Sequence, residues 1–101
     1  MNKKEIQQFI DIIENIKELR LRKSKDYGYS WKVYGLEGVV WQLKSKFIRM
    51  TNLMNKGNIK PANEPLTDTF KDIANYAIMA IQLIESGNVD DQINELLKIK
   101  E

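Results

Sequence analysis

The chain has 101 residues, 43% apolar and 30% charged, with a net charge of +2, which fits one small domain, residues 1–101, near the size where a single core is only modestly stabilising. It contains no cysteine, which excludes a disulfide framework, a thiolate nucleophile and a cysteine-bound zinc or iron–sulfur centre, and no histidine, which removes the commonest general base and metal ligand. Any metal is therefore expected to be a hard cation on oxygen ligands, Mg²⁺ or Mn²⁺ first.

From Lys3 to about Lys25, Ile6, Phe9, Ile10, Ile13 and Ile16 recur at helical spacing, and Asn2 followed by Glu5 provides an N-cap with a reciprocal partner. "DYGYSWKVYGLEG" then interrupts the pattern with Gly28, Gly35 and Gly38 and reads as an ordered loop, with room for one short turn over Ser30–Tyr34. A second helix starts at Leu36, where Val39, Val40, Leu43, Phe47, Met50 and Met54 form a core stripe that Gly57 ends. Trp41 and Ile48 make a separate apolar patch on its far side, while Lys46 and Arg49, three apart, share one edge.

"EPLTDTFKDIANYAIMAIQLIE" predicts a third helix, with Asn63 or Glu64 as cap, Pro65 in the first turn and Gly87 as its stop. Leu66, Phe70, Ile73, Ala77, Ile81 and Ile84 form one stripe, read as the core face, and Glu64, Asp68, Asp72 and Asn75 form the opposite one. Acids opposite a core stripe read as a solvated face. Here, however, the acidic stripe runs on into Met79 and Leu83 with Ile78 alongside, so the second half of the helix has no polar side and must be enclosed. The carboxylates one or two turns earlier then line a cleft. The tail "VDDQINELLKIKE" predicts a short fourth helix within residues 88–101.

Charge divides along the chain. Residues 1–60 carry 13 Lys and Arg against 6 Asp and Glu, and residues 61–101 carry 3 against 8, so a basic portion meets an acidic one. A cleft between them would offer Lys23, Lys46 and Arg49 to phosphate oxygens, Tyr27 or Trp31 as stacking faces for a base, and Asp26 and Asn75 to base or sugar edges. Glu64, Asp68 and Asp72, spaced i, i+4, i+8, project together and suit Mg²⁺ bridging phosphates. The same charges also read as two halves attracting across a surface. No apolar run approaches the roughly 18 residues of a membrane span, and the start has no leader-like apolar region, so a cytoplasmic protein without a membrane partner is expected. The basic run "KELRLRKSK" is set against an acidic remainder that repels DNA, so nucleic acid is not the expected partner.

Three segments carry a resemblance: "KSKDYG" (Lys23–Gly28), "SKFIRMTNL" (Ser45–Leu53) and above all "EPLTDTFKDIANYAIM" (Glu64–Met79). They are similar to the nucleotide-modification-associated domain family, first type, of small phage and bacterial proteins, over roughly residues 5–86. The resemblance implies an all-α fold distantly like the MazG-type nucleoside triphosphate pyrophosphohydrolases: a four-helix bundle completed by dimerisation or higher oligomerisation, holding Mg²⁺ with acids from two helices. For a phage protein it also implies residence in the cytoplasm of the bacterial host. The second helix here contains only Glu37 among the acids. Two functions follow: a Mg²⁺-dependent pyrophosphohydrolase-like enzyme of nucleotide metabolism, or a non-catalytic binder that sequesters a nucleotide or a cyclic-nucleotide immune signal. A homo-oligomer, at least a dimer, is expected in either case, with Trp41 and Ile48 or the Met79–Leu83 side of the third helix at the contact.

Overall fold

The computed structural model describes residues 1–24, 30–57, 59 and 63–86, which form three helices and, among those residues, no strand. The expected loop residues 25–29, the Gly87 stop and the fourth helix lie outside the described residues, as do the side chains of residues 30–33. Helix α1 spans Lys3–Arg22 and starts as its sequence dictates: Asn2 Oδ1 accepts from the Glu5 amide at 2.8 Å. It closes at Lys23, whose amide donates to the Leu19 carbonyl at 2.9 Å.

Helix α2, Ser30–Asn55, is two helical pieces joined by a kink at Gly35, where φ is 63° and ψ is −157°. The short turn expected over Ser30–Tyr34 is present, and the long piece begins after Gly35, at Leu36, as its apolar stripe predicts. The Gly35 angles belong to glycine almost alone, so Gly35 ends the turn and starts the long helix with no further loop between them. Gly38 completes the kink, because a Cβ there would collide with the Cβ of Tyr34. At the far end Gly57, with φ 72°, donates its amide to the Met54 carbonyl at 3.1 Å, as its C-cap role requires.

Helix α3 spans Glu64–Glu85. Asn63 Oδ1 accepts from the Leu66 amide at 3.2 Å, and Pro65 sits in the first turn, where its missing N–H costs nothing. The core lies where α2 crosses α3: Val39 (2% exposed), Met79 (0%) and Leu83 (1%), with Leu43, Tyr76 and Ala80 packed around them. The enclosure expected for the second half of α3 is present on one side only, the continuation of the acidic stripe, while Ile78, Ile81 and Ile84 are exposed.

The core stripe itself is not the expected one. The buried residues of α3 are Leu66, Thr69, Asn75, Met79 and Leu83, whereas Phe70, Ala77, Ile81 and Ile84 are exposed. Likewise Val39 of α2 is buried, but Val40, Phe47 and Met54 are exposed. A helix that is apolar all round its second half does not state by hydropathy which side its neighbour takes. The acid-bearing side faces α2, where Lys46 pairs with Asp72 and Val39 packs in the cluster with Met79 and Leu83. One expected partner contact is thereby corrected: Met79 and Leu83 are used inside the protomer, while Trp41 and Ile48, each 64% exposed, remain on the outside. Helix α1 has an exposed apolar face, Ile6, Phe9, Ile10 and Ile13, and buries no residue.

Candidate functional site

Asp72 is the residue on which all three helices meet. Its Oδ2 lies 3.1 Å from Lys46 Nζ of α2, and its Oδ1 lies 3.9 Å from the Nζ of Lys23, the cap residue of α1. The Asp72 side chain is 17% exposed and that of Lys46 26%, so the contact is largely removed from water. A carboxylate at that depth is tolerated because both oxygens face a cation. Tyr76, one turn further along α3, registers the same surroundings. Burial first, and the Asp72 charge second, push its phenol above the ordinary 10.0.

Around this pair a cleft of about 360 Å³ opens between α2 and α3. Lys46 and Arg49 wall one side, and Glu64, Asp68 and Asp72 wall the other, with Pro65 and Thr69 at its base. Thr69 is buried and donates its hydroxyl to the Pro65 carbonyl at 2.7 Å, so it holds the first turn of α3 in shape. Five of the expected site residues thus share one cleft, and Lys23 reaches it through Asp72. The helical spacings align each wall: Lys46 and Arg49 are three positions apart, and each acid is four from the next.

The expected base-binding residues are distributed differently. Asp26, Tyr27 and the side chain of Trp31 lie outside the described residues. Asn75 is 1% exposed and lines not the cleft but a second cavity further along α3, a groove of about 810 Å³ between α1 and α3. Ile13, Ile16 and Leu21 of α1 and Ala74, Ala77 and Ile78 of α3 line it. Arg20 Nη2 donates to Gln82 Oε1 across it at 3.0 Å. The Nδ2 of Asn75 has no hydrogen-bond partner. Leaving such a donor buried and unmet costs about 1–3 kcal/mol. Hydropathy alone does not reveal this groove; the available signal is the pair of small residues, Ala74 and Ala77, flanking a polar one where the helix turns apolar.

The described residues contain no group of three or more acids placed to hold a metal ion together. Glu64, Asp68 and Asp72 line a wall and do not converge, and Asp72 already faces two lysines. A closed cage for a metal therefore does not fit. Mg²⁺ commonly takes only one or two carboxylates and completes its shell with substrate phosphates and water, and Glu64 with Asp68 suits that need.

No helix among the described residues is long and apolar enough to cross a membrane. Comparison with curated proteins and with solved structures gives no match. The profile of one family, nucleotide modification associated domain 1, matches residues 23–85, more than half of the chain. That span runs from Lys23 to Glu85 and includes every residue of the cleft and Asn75. The protein belongs to the nucleotide modification associated domain 1 family.

Proposed function

We propose that the protein recognises a nucleotide through its phosphates, in the cleft between α2 and α3. The observation that carries this reading is the pairing of a cation wall with an acid wall, Lys46 and Arg49 against Glu64, Asp68 and Asp72. Among the described residues Arg49 forms no ion pair, and its planar fork suits two oxygens of one phosphate. Lys46 is held at the cleft by Asp72, so it is in position before an anion arrives. A phosphate that takes Lys46 leaves Asp72 still facing Lys23. Glu64 and Asp68 would hold a Mg²⁺ bound together with the phosphates, which would neutralise charge on their oxygens.

Two outcomes of binding are distinguished by chemistry. Hydrolysis, as in a MazG-like nucleoside triphosphate pyrophosphohydrolase, is suggested by the carboxylates beside the phosphate wall. Sequestration without turnover, of a nucleotide or a cyclic-nucleotide immune signal, is favoured by the lack of a converging acid set among the described residues. Incubation with each nucleoside triphosphate and with cyclic dinucleotides, with and without Mg²⁺, followed by heat denaturation and chromatography, separates them. Cleaved product identifies the enzyme, and intact ligand recovered from the protein identifies the binder. A panel in which nothing binds and nothing is cleaved removes both. A homo-oligomer, at least a dimer, belongs to the same reading; the exposed apolar sides of all three helices support it.

A further inference from the structure

Asn75 is a polar residue at a position where an apolar one would pack without penalty, and its Nδ2 meets no acceptor. The groove it lines is otherwise apolar, and the charged groups at its edge are engaged within the protein, Arg20 with Gln82 at 3.0 Å and Lys17 with Glu14 at 3.0 Å. A volume of about 810 Å³ lies within the range of small-molecule sites, and one convergent polar group in an apolar wall is how such sites orient a ligand. The groove also adjoins the phosphate cleft. Asp72 and Asn75 are three residues apart on α3, roughly 4.5 Å along its axis. Lys23 pairs with Asp72 while the next residue, Ser24, lines the groove.

We infer that the groove between α1 and α3 holds the flat heterocyclic base of the nucleotide whose phosphates occupy the neighbouring cleft, with Asn75 Nδ2 donating to a ring nitrogen or carbonyl oxygen of that base. This rests on the phosphate reading of the cleft and adds to it the part of the ligand that the cleft leaves unread. A base suits the groove better than an alkyl chain, because an alkyl chain has no acceptor for the one deep donor. The small side chains of Ala74 and Ala77 leave the width that a ring needs. An amide turned end for end offers Oδ1 to an N–H donor on the same kind of edge, so the residue that reads the base is unchanged.

The test uses the full chain and two probes, inorganic tripolyphosphate and a panel of nucleoside triphosphates, with affinities taken by calorimetry. The parent is expected to bind at least one nucleoside triphosphate tenfold or more tighter than tripolyphosphate. Asn75→Leu removes the donor at similar volume; it should keep tripolyphosphate binding and lose that tenfold advantage, with no fall in melting temperature. Ala77→Phe, a change at an exposed position lining the groove, fills it without touching Asn75 and should produce the same loss, which keeps the test valid if Asn75→Leu does not fold. Nucleotides that bind the parent no better than tripolyphosphate overturn the inference and leave the phosphate cleft standing. So does a parent-like advantage in Ala77→Phe, including the case where that variant only changes the oligomeric state because a second copy covers the groove. A parent that binds no tripolyphosphate instead defeats the phosphate reading itself.

Discussion

Replacing Asp72 with Asn separates the two roles an acid can play in this cleft. The change keeps the shape and removes the charge that faces Lys46 at 3.1 Å and Lys23 at 3.9 Å. Exposed ion pairs are worth about 0.2–1 kcal/mol, and breaking a fully buried pair costs about 3–5 kcal/mol. With Asp72 17% exposed and Lys46 26%, the pair falls between these limits, nearer the lower because Lys46 can turn to water once released; about 1–2 kcal/mol is expected. Lys23, 41% exposed and further away, adds little. For a domain of this size, thermal unfolding should then begin about 4–16 °C lower, with the difference narrowing only partly in high salt. The Tyr76 phenol should also titrate lower than in the parent, because one of its two causes of elevation is gone. Meanwhile affinity for tripolyphosphate without Mg²⁺ should hold or rise, since Lys46 is freed and one negative charge has left the cleft. An unchanged melting temperature, within the 0.5 kcal/mol typical of surface changes, would show that Asp72 is a solvated acid and that the tie among the three helices is not formed.

Asp68 is exposed, so Asp68→Asn should leave stability within about 0.5 kcal/mol yet weaken Mg²⁺-dependent nucleotide binding or turnover at least tenfold; equal loss with and without Mg²⁺ refutes the metal role. Arg49→Ala should cost phosphate affinity at least tenfold, about 1.4 kcal/mol, with folding nearly unchanged, as read by calorimetry and a parallel melt. Gly35→Ala forces a side chain onto φ 63° and ψ −157° and should destabilise by about 1–3 kcal/mol in urea melts; a neutral result means the kink is elsewhere. The Tyr76 phenol is raised in the folded state, so the stability its neutral form contributes is complete below pH 10.0 and is lost as pH climbs through the folded value. The alkaline absorbance difference between parent and Tyr76→Phe should show one phenol titrating late. Light scattering at micromolar concentration should give at least a dimer mass for the parent and a smaller mass for a Trp41→Glu, Ile48→Glu variant, since both side chains are 64% exposed; a clean monomer for the parent refutes it.

The helical class and two of the three helix starts were legible because local chemistry decides them. Asn2 and Asn63 both cap as their side chains allow, each accepting from an amide three residues on. What was not legible was the rotation of α3 about its own axis. Phe70, Ile81 and Ile84 read as core by hydropathy and are exposed, whereas Asn75 reads as part of the acid row and is buried. Periodicity ranks the faces of one helix and carries no information about which face the neighbour meets. That choice is made by contacts between residues far apart in the chain, Lys46 with Asp72 and Val39 with Met79 and Leu83. The break at Gly35 was legible for the same local reason as the caps, since a glycine in a helical pattern marks where the backbone can leave the helix, and it does so between the Ser30–Tyr34 turn and the long helix.

The same limit explains the site. Spacing on single helices brought Lys46 to Arg49 and Glu64 to Asp68 and Asp72, because each set needs only one helix to align it. It could not show that the two sets face each other, nor that Asn75, in the same row, meets a different neighbour. Asn75 stands within roughly 20° of Glu64 and Asp68 about the helix axis but roughly 16 Å and 10 Å further along it. That distance carries it past the cleft to the groove that α1 lines. A row of polar residues written on one helix thus becomes two walls of two cavities once a helix packs on each side. The acids serve the side where Lys46 and Arg49 stand, and the amide serves the side where Ile13 and Ile16 stand. A ligand that is charged at one end and flat and apolar at the other matches that division, and a nucleotide is such a ligand.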